Sequence, residues 1–463
     1  MRTGIAAGHP ATADAGAEIL ADGGSAADAA VAACLASCVA ETVMTGFLGG
    51  GHALYRDAAT GAIENLDCFV AVPGLGAPPK TAELVELQVP FGTELVHYAV
   101  GPASCGVPGV PAGLDALWSR FGRLPWSRLC EPALALARTG VTMPPAHAAC
   151  LEMLAPVMTM NEGADIYAPG GRLLETGDRL DQPGLARALQ VLADEGPRSA
   201  YDGTIAEGLL ELVGARGGLV TRDDLASYEA RWSEPVGVSY SRVRVLTRPG
   251  LAPIAEPLRR LSPLRGAPPG DRALALVGAL RGAGAGDGHT TNVTVVDPEG
   301  SVCVLTTSLG LGSGDFVPGF DLHLNSMLGE TDLLRGALEP GDRMASMMAP
   351  TIALGAESGD VVIAAGAAGG TRLRSALVQV LAGVLDEGLP VDEAVARPRL
   401  HPAGATVQLE PGFDETVEHA LADAGWAVRV WPAQHHYFGG VSAITPTGGA
   451  GDPRRSGQAR MRS

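Results

Sequence analysis

The sequence predicts an α+β fold in which antiparallel sheets are stacked and helices lie outside them. Three observations carry this expectation. Helix start and stop signals crowd the first half of the chain. The clearest β pattern, Asn292–Asp297 and Ser301–Thr307, lies beyond it, broken by Pro298-Glu299-Gly300. Strands and helices are thus segregated rather than strictly alternating, which favours stacked antiparallel sheets over a parallel α/β sheet.

The first helix is expected from His9-Pro10 to Asp22-Gly23-Gly24, where glycine supplies a left-handed cap. Ser25 with Asp28 forms a capping-box pattern ahead of a second helix. That helix, Ala26 to Ala40, is mostly Ala, Cys and Ser, and reads as buried rather than membrane-spanning. After Gly49-Gly50-Gly51, His52–Tyr55 and Ile63–Leu66 read as a hairpin across Asp57–Gly61. Residues 107–230 show Leu/Ala helical spacing, and Thr221 with Asp224 marks another capped start. The stretch 248–288 is rich in proline and ends in the glycine run 282–288, which reads as a flexible linker. A dinucleotide loop needs a strand before the glycines and a helix after them, and the sequence offers neither. Asp297 to Gly300 fits a type I turn between two strands. Further strands are expected at Val361–Ala365, Thr406–Leu409 and Phe438–Ile444, with helices at Arg372–Glu387 and Glu393–Arg397.

Composition narrows the function. The chain has 463 residues, 46% of them hydrophobic and 18% charged, so it has the material for a sizeable core. The net charge of −18 opposes binding to phosphate backbones. The basic end, Arg454-Arg455 to Arg462, reads as a disordered tail. Seven irregularly spaced cysteines without a C-x-x-C favour reduced, buried thiols and a cytoplasmic location. The opening residues lack an apolar signal region. No G-x-S-x-G elbow or H-E-x-x-H occurs, and His435-His436 reads as a structural pair rather than a metal site.

The chemistry concentrates where the glycine run meets His289-Thr290-Thr291-Asn292. A threonine hydroxyl is a weak nucleophile without a base beside it. Cutting the bond before Thr290 would release an α-amine of pKa ~7.7–8.0, so that one residue supplies nucleophile and base. The local pattern alone reads more readily as an ordinary pair of threonines at a strand edge after a loop.

The order of motifs along the chain resembles the γ-glutamyltranspeptidase family. The matching stretches are His9–Val31, Gly49–Gly51, Gly217–Tyr228, Thr290–Asp297, Leu324–Glu330, Ser346–Thr351 and Gly366–Arg372. The resemblance implies a four-layer αββα N-terminal-nucleophile (Ntn) hydrolase, cut between His289 and Thr290. Residues 1–289 would be the large-subunit part and 290–463 the small-subunit part, together one Ntn domain. It also implies roles. Thr290 would attack, Ser308 would contact the nucleophile, and Gly369 and Gly370 would form an oxyanion hole. Glu330 and Ser346 would bind substrate. Several residues depart from the family pattern. Phe69 stands in place of an Arg, Gly310 of an Asn, Met327 of a Glu or Gln, Met347 of a Ser and Asn292 of a His. The segment before the cut is shortened between about 250 and 286, and the family's long helix there is expected to be missing.

The implied activity is hydrolysis or transfer of an acyl group from an amide or related donor, to water or an amine, with altered specificity. No cofactor, metal, nucleic acid or membrane partner is implied. The partners would be the small-molecule donor and acceptor and the chain's own two subunits, with a homo-oligomer left open. Three alternatives stand beside this reading: a standard glutathione-cleaving γ-glutamyltransferase, a C–C bond hydrolase of specialised metabolism, and a non-catalytic small-molecule-binding homologue.

Overall fold

The β-branched run before Asp297 forms the middle of a seven-stranded sheet. The chain's structure, a computed structural model, describes residues 1–78, 83–91, 94–250, 254–281, 289–330 and 333–462. The sheet runs Gln458–Met461, Gly4–Ala7, His289–Val296, Val302–Gly310, Gly50–Arg56, Ile63–Cys68, Arg231–Ser233, with every neighbouring pair antiparallel. A second, six-stranded antiparallel sheet runs Gly449–Gly451, Gly440–Ile444, Val361–Ala368, Thr351–Gly355, Val243–Thr247, Val236–Tyr240.

The alternation of side chains builds the layers. Val293, Val295, Cys303 and Leu305 face a helical layer that includes Ala26–Ala40. Val296, Val302 and Val304 point the other way and meet Ile352, Val361, Ala364 and Ile444 between the sheets. The outer face of the second sheet is covered by Arg372–Ala382, Pro269–Leu280 and Glu415–Asp423. The order is helix, sheet, sheet, helix, as expected.

Local signals explain the helix boundaries. Ser25 Oγ accepts from Asp28 N at 3.1 Å, and Asp28 Oδ2 accepts from Ser25 N at 2.9 Å. Thr221 and Asp224 repeat this box. Every residue of Ala26–Ala40 is buried, so its small side chains serve close packing on both sides. All seven cysteines are buried and free. Among the described residues, no helix is long and apolar enough to cross a membrane.

Two expectations are corrected. The basic tail is not disordered. Gln458–Met461 pairs with Gly4–Ala7 at the sheet edge. Arg454 pairs with Glu410 and, at 3.1 Å, with Asp452 Oδ1, while Arg399 Nη2 meets Asp452 Oδ2 at 2.6 Å. The tail's charge is neutralised inside the fold rather than solvated. The proline-rich stretch also holds a twelve-residue helix, Pro269–Leu280, because Pro268-Pro269 sets a helix start and the Ala/Leu run after it packs on the core. The glycine run at 282–288 lies outside the described residues.

Candidate active site

Thr290 sits where the central ladder breaks. His289 pairs with Gly310, but Thr291 pairs with Thr307, so Ser308 and Leu309 lie opposite Thr290 in a bulge. Bulges re-aim side chains at strand ends. Thr290 here borders a cavity with Ser308, Gly370, Glu330, Ser346, Phe69, Met327 and Met347, joined by Leu333, Met348 and Leu373. The strand carrying Ser308 can lie this close to the glycine cluster only because side chains are absent there. A Cβ on Gly49 would stand 2.1 Å from the Ser308 carbonyl oxygen.

Gly369 and Gly370 form the turn from Val361–Ala368 into the helix Arg372–Ala382. Their φ values of 124° and 55° are ones that favour glycine. Their carbonyls accept from Arg372 N at 3.0 Å and Leu373 N at 3.2 Å. The turn leads into a helix N-terminus, where backbone N–H groups and the helix dipole favour negative charge. Gly370 borders the cavity, whereas Gly369 is set against Gly439 and Arg455. Gly310 also stands outside the lining, at φ 71°. A Cβ there would lie 2.7 Å from Glu330 Oε1 and 2.6 Å from Ser326 Oγ, so Glu330 uses space that a larger side chain at 310 would claim.

Phe69 is wedged in place. Its carbonyl accepts from Tyr228 OH and from Arg343 Nη1, each at 2.5 Å, and its ring stacks on His52 with centroids 5.6 Å apart. Burial first, then Arg248 and Arg343, hold His52 well below the ordinary histidine pKa, so it is neutral. The Ser346–Met348 segment is held from behind by Arg248, whose Nη1 donates to the Ser346 and Met348 carbonyls at 3.0 and 3.1 Å.

Thr290 has a second neighbourhood on its other side, which the sequence did not disclose. A cavity of about 260 Å³ is bordered by Thr290, Thr291, Asn292, Gly8, Glu41, Met44, Asp452 and Arg455. Glu41 Oε2 accepts from Thr291 Oγ1 at 2.5 Å, and Oε1 accepts from Thr12 Oγ1 at 2.6 Å. Burial pushes the Glu41 carboxyl up, against its two hydroxyl donors and the Arg455 charge. Arg455 is buried, with Nη1 2.8 Å from Met44 Sδ. The only hint in the sequence was a lone carboxylate directly after the apolar run Ala26–Ala40. Asn292 stays structural, its amide 3.0 Å from Thr294 Oγ1 and 2.7 Å from Thr306 Oγ1. His435 caps the turn His436–Phe438 through Nδ1, which accepts from Tyr437 N at 3.1 Å.

The family model described as gamma-glutamyltranspeptidase matches residues 12–253 and 271–461. The chain belongs to the γ-glutamyltranspeptidase family. The unmatched gap falls in the shortened stretch before Thr290. Among relatives in this family, the acylase ACY 1 proenzyme of Pseudomonas sp. (strain SE83) is 30% identical, over 95% of this chain and 89% of that protein. The glutathione hydrolase proenzyme of Bacillus subtilis (strain 168) is 24% identical, over 95% and 87%. The crystal structure of cephalosporin acylase from Bacillus halodurans superposes with a TM-score of 0.82 at 23% identity, covering 99% of this chain and 96% of that one. That likeness shows the shared αββα fold. A member of this family is an Ntn hydrolase or acyltransferase, and the chain is an enzyme of that kind.

Proposed function

We propose that the chain is made as a zymogen that cuts itself between His289 and Thr290, and that Thr290 is then the nucleophile of an acyl hydrolase or transferase. The observation that carries this reading is the convergence of Thr290, Ser308 and Gly370 on one cavity at a break in the ladder. In processing, Thr290 Oγ attacks the His289 carbonyl carbon and the C–N bond breaks to leave an ester. The same cleavage frees the Thr290 α-amine, and water then hydrolyses the ester to release the His289 carboxylate and the Thr290 hydroxyl. In turnover, Oγ attacks the donor carbonyl and its proton passes by way of the α-amine to the leaving group. N–H groups at Gly369-Gly370 stabilise the oxyanion, and water or an amine takes the acyl group from the ester. Residues 1–289 and 290–463 stay together as one domain, because strands from both segments share each sheet.

The donor is an amide or related acyl compound, and it differs from the standard glutamyl donor. Phe69, Gly310, Met327 and Met347 take the places of polar side chains that the family resemblance leads one to expect. The buried free thiols fit a reducing, cytoplasmic compartment.

Denaturing gels of freshly purified protein test the processing step. Bands of about 29 and 18 kDa should replace the 47.1 kDa chain, the smaller one beginning at Thr290. Thr290→Ala should give one full-length band, since no hydroxyl remains to attack. A wild-type chain still intact after long incubation would overturn the proposal.

A further inference from the structure

The cavity at Thr290 carries a statement about substrate class, which rests on the nucleophile proposed above. Among its described lining residues, Glu330 is the only one with a charged side chain, and much of the rest of the wall is Phe69, Met327, Met347 and Met348. Two guanidinium groups lie behind this wall, and neither borders the cavity. Arg343 donates to the carbonyls of Phe69 at 2.5 Å and Glu229 at 2.6 Å, and meets Asp67 Oδ1 at 3.5 Å. Arg248 is committed to the Ser346 and Met348 carbonyls at 3.0 and 3.1 Å. Its pKa is pushed down to about 10 by burial, with Asp67 opposing. Both cations therefore brace the backbone of the wall.

A donor carboxylate in this cavity would lose its water and find no arginine or lysine among the described lining residues. Burying an unpaired charge is strongly unfavourable. Thioether side chains, by contrast, are polarisable and adapt to apolar shapes. We infer that the acyl group selected here carries no carboxylate and lays an apolar body against Phe69, Met347 and Met348.

The test uses the mature enzyme and four p-nitroanilides: γ-glutamyl, glutaryl, 4-aminobutyryl and butyryl. Both release of p-nitroaniline and mass spectra of the Thr290 peptide are recorded. The two carboxylate-free donors should exceed their carboxylate-bearing counterparts in kcat/KM by roughly thirtyfold or more, the penalty of an unpaired buried charge. Phe69→Arg should narrow that gap by offering a cation. Met347→Ser, a smaller disturbance, should narrow it less. Preference for γ-glutamyl or glutaryl donors, with acyl adducts on Thr290, would overturn this inference and leave the nucleophile standing. Adducts on another residue, or none from any donor, would overturn the nucleophile reading and this inference with it.

Discussion

The two sides of Thr290 are built on opposite principles. On one side, among the described lining residues, Glu330 is the one carboxylate in a wall rich in phenylalanine and methionine. On the other, Glu41, Thr291, Asp452 and Arg455 border a second cavity, with Thr12 behind Glu41 and the Arg399, Glu410 and Arg454 network beyond Asp452. The first side presents Glu330 at the wall of its cavity. The charges on the second side are spent on one another. The difference fits the proposal that the first side sets which molecule is accepted, while the second holds the strand His289–Val296 in register. Substitutions on the two sides should therefore separate activity from stability.

The largest expected effect tests the polar side. Arg454→Ala leaves Glu410 and Asp452 short of a buried partner, which should cost about 3–5 kcal/mol of stability. Denaturant unfolding measures it. A loss under ~1 kcal/mol, the range of a surface pair, would break the contrast between the two sides.

Gly370→Val tests the other side. If its N–H faces the oxyanion, a bulky residue at φ 55° should displace that donor. The loss is about 2.7–4 kcal/mol in the barrier, or ~10²–10³ in rate, with the two-chain enzyme still forming. Unchanged turnover in correctly processed protein would remove Gly370 from the mechanism.

Glu41→Gln sharpens the comparison through pH. Burial holds the Glu41 carboxyl above its ordinary range, so the folded protein keeps a proton that the unfolded chain gives up. Stability from this group is complete below the ordinary glutamate pKa and is lost as pH rises through the raised value. Glu41→Gln should flatten that part of the unfolding-versus-pH curve, while Thr12 and Thr291 lose an ionisable acceptor at about 1–3 kcal/mol. An identical pH slope in both proteins would show that Glu41 does not titrate across this range.

The smallest effect belongs to Thr45. Its hydroxyl lies 2.8 Å from Thr307 Oγ1, one residue before Ser308. Thr45→Val removes this bond at similar shape and should cost about 0.5–1.5 kcal/mol of stability. A loss of several kcal/mol would make it an anchor of the strand rather than a minor clamp.

What the sequence determined by itself was local or ordered along the chain. Ser25 with Asp28 and Thr221 with Asp224 mark helix starts because each box closes within four residues. Asp297 to Gly300 marks a hairpin for the same reason. The ordered motifs led to the αββα fold and to Thr290, Ser308, Gly370, Glu330 and Ser346, which the tertiary structure brings to one cavity. The tertiary structure alone decided the rest. Nothing near Glu41 announces a partner, because Thr291 is far along the chain and only sheet packing joins them. Arg454 read as part of a disordered tail because its partners Glu410 and Asp452 gather only when the chain folds. Arg248 and Arg343 are two arginines in the sequence, and only the folded backbone commits them to carbonyls behind the Phe69 wall. Charge is legible one residue at a time, whereas its compensation is a property of distance, and distance is set by the fold.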